Sequence, residues 1–431
     1  PESAMGLFVQ DVNDKRALVQ FNANTPLSPA SIMKLVTTNA ALEMLGPNYT
    51  WKTRAYSTGV QNGDVLDGDL IIKGSGDPKL VIENFWLFLR QIRAQGIRDI
   101  RGNVLLDRGV FEEIPFDPGK FDGDTLKPYN AGPDALLLNY NAFRFQFTPI
   151  QSTGQVKISI DPPVVGYTAV APSLSNAECG DWQKKLNVVF SQNGVRFNGN
   201  FAASCGEKTW YLHPDQLTSM QYFAVVFRKM WSDIGGTFKG DVRTGALTTD
   251  ARFVTEWESV TLPEVIRDIN KYSNNVMARQ VLLSLAAQGT TAPANHFRGA
   301  QIIKTWLEEK GISAPELVIE NGSGLSRSER IAPRTMGQML ISAYQSPLMP
   351  EFMSSMPLVG FDGTMRRRLT SASIAGKAHI KTGRIDQVRS IAGYVFAASG
   401  KRYAVVCIVN HPNADASQAA QDAMLQWVYE Q

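Results

Sequence analysis

The chain has 431 residues, of which 44% are apolar and 19% are charged, and its formal net charge is +3. This length predicts two to four domains, with enough apolar material for more than one core. The small, dispersed positive charge argues against nucleic-acid binding. No apolar run reaches the roughly 18 residues of a transmembrane helix. No segment resembles a signal peptide and the chain does not begin with Met, so we expect a mature or trimmed form.

The N-terminal part predicts a hairpin, a helix and further strands. Residues 6–24 alternate in polarity as a β-hairpin does, with an Asn-Asp turn. A helical run extends from Ser28 to about Leu45, with Ser28 as N-cap and Pro29 at the first helical position. Residues 52–72 are again strand-like.

The rest of the chain divides near Thr248. Before it, short strands punctuated by Gly, Asn and Pro dominate. Helical periodicity there is limited to residues 80–96 and 216–235. After it, the predicted elements are helices over 261–288 and 296–311, strands at 378–384, 390–398 and 402–410, and an amphipathic helix at 414–431. We therefore expect one α/β domain built from the two ends of the chain, separated by a long, mostly β insertion.

Three cysteines bear on the compartment. Cys179 and Cys205 could close a loop of about 26 residues, and such a bridge would stabilise the fold by roughly 3 kcal/mol. The sequence leaves this pairing undecided, and a disulfide would indicate an oxidising environment. Cys407 lies in an apolar strand pattern and is expected to be a small core residue.

Ser31 and Lys34 are the first candidates for chemistry. Residues three apart share a helix face, and the neighbouring apolar residues indicate burial. A buried lysine must be paired or lose its proton, and a neutral amine beside a hydroxyl can act as a general base. The alternative is a surface serine and a solvated lysine, because Ser-x-x-Lys occurs about once or twice by chance in a chain this long.

Two further motifs follow along the chain. Ser273-Asn274-Asn275 lies between two predicted helices, where it can direct polar groups into a cleft or simply connect the helices. Lys381-Thr382-Gly383 lies on a predicted strand and suits a substrate carboxylate, although an edge strand with a protective lysine is the alternative. A second Ser-x-Asn at residues 191–193 belongs to a hairpin with an Asn-Gly turn and is set aside.

The conjunction of these motifs, in this order and in these contexts, resembles the serine penicillin-recognising enzymes. The segments "SPASIMKLVTTNAALEMLG", "INKYSNNVMA", "ENGSGLSR" and "HIKTGRID" are similar to those of the class C low-molecular-mass penicillin-binding proteins, of the penicillin-binding protein 4 type. The long insertion between Ser31 and Ser273 is also characteristic of that group.

The resemblance implies a fold and a domain organisation. The expected fold class is α/β (α+β), with a penicillin-recognising, transpeptidase-like domain that combines an antiparallel sheet flanked by helices with an all-helical subdomain. This catalytic domain is expected over 1–52 and 249–431. The large, mostly β insertion would form a domain over 53–144 and 215–248, with a second domain nested at 145–214.

The resemblance also implies roles for the motif residues. Ser31 would be the acylated nucleophile, Lys34 its base and Ser273 the relay of a proton to the leaving amine. Asn275 would hold the substrate amide and Lys34. Lys381 and Thr382 would bind the terminal carboxylate, and Gly383 would let a ligand approach the strand closely. The N–H groups of Ser31 and Arg384 would bind the oxyanion.

Two positions depart from the family pattern, and two are carried over from it. Asn274 stands where the family often has Asp, which leaves the mechanism intact. Arg384 replaces a small polar residue, so a bulky cation is expected at the rim of the cleft. Arg327 matches a family arginine near the site, and Asp124 matches an acidic residue of the insertion that reaches towards substrate. The alternatives are a surface arginine and a loop aspartate.

The resemblance implies a serine D-Ala-D-Ala carboxypeptidase and DD-endopeptidase of peptidoglycan stem peptides, acylated by β-lactam antibiotics and free of cofactors or metals. We expect a periplasmic location, soluble or loosely membrane-associated. The alternatives are a serine β-lactamase, disfavoured by the lack of an obvious Glu-x-x-Leu-Asn loop, and a non-catalytic cell-wall binding protein. The balance of the two peptidase activities, the stem-peptide preference, the oligomeric state and the role of the insertion stay undetermined.

Overall fold

The structure is a computed structural model that describes residues 2–290 and 292–431. The chain divides into two compact units, one comprising Pro1–Thr50 and Val260–Gln431, the other Trp51–Ser259. The α-helices of the described residues are α1 (Met33–Leu45), α2 (Ile82–Ala94), α3 (Ser219–Asp233), α4 (Leu262–Tyr272), α5 (Asn275–Ala287), α6 (His296–Glu309), α7 (Pro333–Tyr344), α8 (Met349–Ser355) and α9 (Gln418–Tyr429).

Most strands lie in the second unit. The strands are β1 (Met5–Asp11), β2 (Ala17–Phe21), β3 (Lys52–Ser57), β4 (Val60–Asn62), β5 (Val65–Asp67), β6 (Leu70–Lys73), β7 (Asp99–Ile100), β8 (Val104–Asp107), β9 (Phe143–Ile150), β10 (Gln155–Asp161), β11 (Thr168–Val170), β12 (Ser173–Ser175), β13 (Leu186–Ser191), β14 (Gly194–Ala202), β15 (Lys208–Leu212), β16 (Thr237–Phe238), β17 (Val242–Thr244), β18 (Arg252–Glu258), β19 (Ala378–Ile385), β20 (Val388–Phe396) and β21 (Arg402–Asn410). The N-terminal hairpin and the three C-terminal strands lie where the alternation of the sequence predicts them.

The first unit is built on an antiparallel sheet of order β19-β20-β21-β1-β2, with β19 at one edge. Helix α9 covers one face, where Leu425 and Val428 join a core with Val405. Helix α7 packs on β1 and β21, and a side chain on its Gly337 would overlap the ring of Phe8. Because successive residues of a strand face opposite sides, the two helices cover opposite faces, and the sheet is buried on both.

Helix α1 is the centre of the helical part of this unit. Every residue from Met33 to Leu42 is buried, as expected for a helix enclosed by α4, α5 and α6. Its Thr38 accepts a hydrogen bond from Asn270 of α4 at 3.1 Å, and Asn270 also donates to Ser355 of α8 at 2.9 Å. This buried polar contact fixes α4 against α1.

The chain before α1 differs from the predicted start of the helix. The Ser28 hydroxyl makes no hydrogen bond, and the N–H and C=O of Ser28 are held by the side chain of Asn410. Ala30 has φ +47°, a left-handed conformation that a helix cannot continue through. Residues Ala30–Ile32 form a 3₁₀ turn, and the α-helix begins only at Met33.

The second unit is mostly β, as predicted, with α2 and α3 beside its sheets. Its largest sheet has the order β17-β8-β6-β3-β18. Because β18 pairs antiparallel with β3, residues 252–258 belong to this unit, whereas the sequence placed them in the catalytic domain. The division of the insertion into two domains, with 145–214 nested, stays a prediction. A disulfide joins Cys179 and Cys205, and Cys407 is buried in the first unit.

A helix that spans a bilayer needs about 20 predominantly apolar residues. Within residues 2–290 and 292–431, none combines the length and apolar character needed to span a membrane.

Candidate active site

The side chain of Lys34 is fully buried and is surrounded by three oxygen atoms. Its Nζ lies 2.9 Å from Ser31 Oγ and 2.5 Å from Asn275 Oδ1, and it also donates to the backbone carbonyl of Ser323. The amide oxygen and the carbonyl can only accept hydrogen bonds, whereas the serine hydroxyl can also donate one. An ammonium would donate to all three oxygens, whereas a neutral amine would donate two N–H bonds and accept the Ser31 hydroxyl proton.

The electrostatics favour this neutral amine. Burial holds the pKa of Lys34 well below its ordinary value of 10.5, because a charged ammonium loses its hydration there. The positive charge of Lys381 lowers this pKa further, and so does Arg279, while the carboxylate of Glu329 acts in the opposite direction. Lys34 thus has the properties of a general base.

Ser273 occupies the junction between α4 and α5 in a left-handed conformation, with φ +58° and ψ +41°. This conformation is uncommon for a residue with a side chain and occurs often at functional sites. Lys381 Nζ donates to Ser273 Oγ at 2.8 Å and to the carbonyl of Thr382 at 2.7 Å. Burial lowers the pKa of Lys381 to about 7.

The start of α5 explains the residues that follow Ser273. Asn274 is the N-cap, and its side chain accepts a hydrogen bond from the Met277 N–H at 3.0 Å. Its side chain is therefore engaged by the helix backbone, while the next residue, Asn275, reaches Lys34. An aspartate would cap the helix equally well.

Strand β19 lies directly against the turn that carries Ser31. A side-chain carbon on Gly383 would lie 2.9 Å from the Ser31 nitrogen and 2.8 Å from the Pro29 carbonyl oxygen, and would overlap Ser390 Oγ.

The outer edge of β19 carries backbone N–H groups. The Ile380 N–H donates to the Pro357 carbonyl on this side of the strand. Since the strand alternates without a bulge, the N–H groups of Thr382 and Arg384 point to that same side.

Two side chains of β19 make contacts beyond the strand. Thr382 Oγ1 donates to Thr364 Oγ1 at 2.7 Å, which places two hydroxyl groups together at the strand edge. The guanidinium of Arg384 binds Asp415 at 2.7 Å, and Arg389 binds the other oxygen of the same carboxylate at 2.6 Å. One carboxylate, that of Asp415, thus pairs with both Arg384 and Arg389.

With this geometry in place, the chain was compared with known proteins. The model of the D-Ala-D-Ala carboxypeptidase 3 (S13) family matches residues 1–431. The chain belongs to the S13 family of D-Ala-D-Ala carboxypeptidases. It is a serine-type enzyme of the penicillin-binding protein 4 class, as the sequence predicted.

Relatives of this S13 carboxypeptidase match it over most of their length. The D-alanyl-D-alanine carboxypeptidase DacB of Haemophilus influenzae is 27% identical, over 95% of this chain and 85% of its own. The D-alanyl-D-alanine carboxypeptidase of Actinomadura sp. (strain R39) is 27% identical, over 97% and 80%. The crystal structure of penicillin-binding protein 4 (dacB) from H. influenzae matches with a TM-score of 0.83 at 24% identity, over 99% and 97% of the two chains. The predicted fold class is confirmed.

Arg327 and Asp124, the two residues carried over from the family pattern, belong to different units of the S13 carboxypeptidase. Arg327 donates to the backbone carbonyl of Asp386, immediately after β19, at 2.9 Å, so it belongs to the same unit as Ser31. Asp124 belongs to the other unit, where its carboxylate accepts from the Leu126 N–H and lies 3.6 Å from Lys127 Nζ. A role for Asp124 towards substrate stays a prediction.

Sequence reasoning missed three contributors to the S13 site. These are the Ser323 carbonyl, the buried carboxylate of Glu329 and the hydroxyl of Thr364. The first belongs to a loop whose only sequence signal is the Gly-Ser-Gly of residues 322–324, and a backbone carbonyl has no signature of its own. The described residues also contain no group of three or more His, Cys, Asp or Glu side chains placed to hold a metal ion.

Proposed function

We propose that the S13 carboxypeptidase acts through an acyl-enzyme on Ser31, with neutral Lys34 as the general base. The observation that carries this proposal is the set of Lys34 partners, because two of the three can only accept hydrogen bonds. In a neutral amine these two acceptors take both N–H groups, so the lone pair is directed at the Ser31 hydroxyl. Lys34 takes the hydroxyl proton as Oγ attacks the carbonyl carbon of the penultimate D-Ala.

The tetrahedral intermediate requires donors for its oxyanion. We assign these to the N–H groups of Ser31 and Arg384, and the tight contact at Gly383 supports this pairing because it brings the strand and the 3₁₀ turn together. Each such donor is typically worth about 10²–10³ in rate. The hydroxyl of Ser273, held by Lys381, then relays a proton: it gives its own to the departing amine and takes up the one that Lys34 holds. The C–N bond breaks, and water later hydrolyses the Ser31 ester.

The hydroxyl groups at the edge of β19 suit the substrate's terminal carboxylate. Thr382 supplies a hydroxyl donor, and Lys381 supplies positive charge. In carboxypeptidase action the leaving group is D-Ala. In endopeptidase action it is the side-chain amine of a cross-linked neighbour, whose D-centre also carries a carboxylate. We propose that the same site performs both reactions on peptidoglycan peptides, and that β-lactams acylate Ser31 by the same route.

The compartment follows from the substrate and the disulfide. Peptidoglycan peptides lie outside the cytoplasm, and the Cys179–Cys205 bridge persists in an oxidising environment. We therefore propose a periplasmic location. Fractionation of cells that express the natural gene, with the oxidation state of the two cysteines determined in each fraction, tests this directly.

Mass spectrometry of the intact protein after exposure to benzylpenicillin tests the acyl-enzyme. We expect one adduct, mapped by digestion to the peptide that contains Ser31, and its loss in Ser31→Ala together with the loss of D-Ala release. Labelling of Ser31→Ala would contradict the assignment. The lifetime of the adduct separates a peptidase from a β-lactamase, since rapid release of hydrolysed penicillin would favour the second.

A further inference from the structure

Glu329 is a fully buried carboxylate in contact with the loop that leads to Ser323. Its Oε1 accepts three backbone hydrogen bonds, from the N–H groups of Glu320, Asn321 and Gly322 at 3.1, 2.9 and 2.9 Å. Three successive N–H groups of the loop thus bind one oxygen, and hydrogen bonds to an ionised carboxylate are stronger than those between neutral groups. The loop conformation therefore depends on this carboxylate.

The same loop is held on its other side by the start of α1. Thr37 Oγ1 donates to the Gly322 carbonyl at 2.7 Å. A side chain on Gly324, which has φ +79°, would overlap the carbonyl of Ala30. The loop is thus enclosed between Glu329 and the segment that carries Ser31, and the Ser323 carbonyl is left in contact with the Lys34 amine.

Charged groups from two other elements interact with Glu329. Lys34 of α1 and Arg279 of α5 both interact with its carboxylate, and Lys381 of β19 acts on Lys34. Glu320, on the loop itself, interacts with Arg279. Burial raises the pKa of Glu329, whereas the three backbone bonds and Lys34 lower it. In its ionised form Glu329 is the anion that opposes the cations around Lys34.

We propose that Glu329 is a positioning residue that orients the Lys34 amine towards Ser31, an inference that rests on the proposed acyl-enzyme. By fixing the loop, Glu329 presents the Ser323 carbonyl as a permanent acceptor for one Lys34 N–H. Asn275 accepts a second, so the lone pair is left for the Ser31 hydroxyl. The negative charge of Glu329 also sets how readily Lys34 is protonated.

Two variants separate the shape of Glu329 from its charge. Glu329→Gln keeps an oxygen for the three N–H groups but removes the anion. We expect the acid limb of the acylation rate against pH to move to lower pH, by roughly one unit, because the group that favours protonated Lys34 is gone. Glu329→Ala removes the oxygen as well, and we expect the plateau rate to fall about 10²-fold as the amine loses its fixed geometry.

A matched control and a second readout keep the test decisive. Glu316 is another carboxylate that accepts hydrogen bonds from the Ala332 N–H and the Thr335 hydroxyl, and Glu316→Gln should leave the acid limb in place.

Titration of the Lys34 amine by ¹⁵N NMR in unacylated protein should give a lower pKa in Glu329→Gln than in the parent. A pKa and an acid limb that do not move, or an alanine variant as fast as the parent, would overturn the inference. If the parent is not acylated at Ser31, the proposed function fails, while the titration still decides the coupling of Glu329 to Lys34.

Discussion

Gly383 and Ser31 are in backbone contact: a side-chain carbon on Gly383 would lie 2.9 Å from the Ser31 nitrogen. The sequence suggested that this glycine admits a ligand close to the strand. The structure shows that it first admits the protein's own chain, because the Pro29 carbonyl and the Ser390 hydroxyl occupy the same space. The distance between β19 and the nucleophile is therefore set by the absence of a side chain.

Gly383→Ala should slow acylation of Ser31 by about 10²-fold, because the strand must move away from the nucleophile to admit a methyl group. The second-order rate constant for penicillin acylation measures this effect. Gly109→Ala is a suitable control, since the nearest atom to its added carbon is Asp107 Oδ1 at 3.4 Å. An unchanged rate in Gly383→Ala would show that the close approach has no role in catalysis.

Thr364→Val should weaken the binding of substrates that end in a free carboxylate. The change keeps the shape of the side chain but removes the hydroxyl that contacts Thr382 at 2.7 Å. Loss of one hydrogen bond of about 1 kcal/mol predicts a roughly fivefold rise in KM. The Thr364→Ser variant keeps the hydroxyl, and its KM should equal that of the parent. A peptide with a C-terminal amide serves as the reference, and an equal effect on both peptides would argue against a role at the carboxylate.

Asn274 should act through the helix and not through the substrate. Asn274→Ala removes the N-cap of α5, and we expect a loss of about 1 kcal/mol in the free energy of unfolding of the first unit. Asn274→Asp preserves the acceptor and should retain both stability and acylation. Urea denaturation and the penicillin acylation rate measure the two properties. An aspartate variant that is stable but inactive would place this side chain in the chemistry.

The sequence predicted the parts of the site that depend on local periodicity. Ser31 and Lys34 share a face because they are three residues apart, and the alternation of residues 378–410 places Lys381 in a buried strand. The predicted start of the helix at Ser28 was wrong, because Asn410, far along the chain, holds the backbone of Ser28. That contact has no local signal.

Other features depended on tertiary structure in the same way. Helices α7 and α8 were not predicted. The sequence placed β18 in the catalytic domain, but β18 pairs with β3 of the second unit, about two hundred residues earlier in the chain. Glu329 resembles any charged loop residue in the sequence. Its function as an acceptor for three N–H groups exists only once the loop has folded around it.

The most direct test of the central claim is the pH dependence of Ser31 acylation by a penicillin, measured as a second-order rate constant between pH 7 and 9. A lysine with the ordinary pKa of 10.5 is neutral in only about one molecule in 3,000 at pH 7, so its rate as a base would rise nearly tenfold per pH unit. Because burial and Lys381 lower the pKa of Lys34, more of the amine is neutral in this range than for an ordinary lysine, and we predict a rate that rises by much less than tenfold per pH unit. A tenfold rise per pH unit would contradict a neutral Lys34 and with it the proposed mechanism.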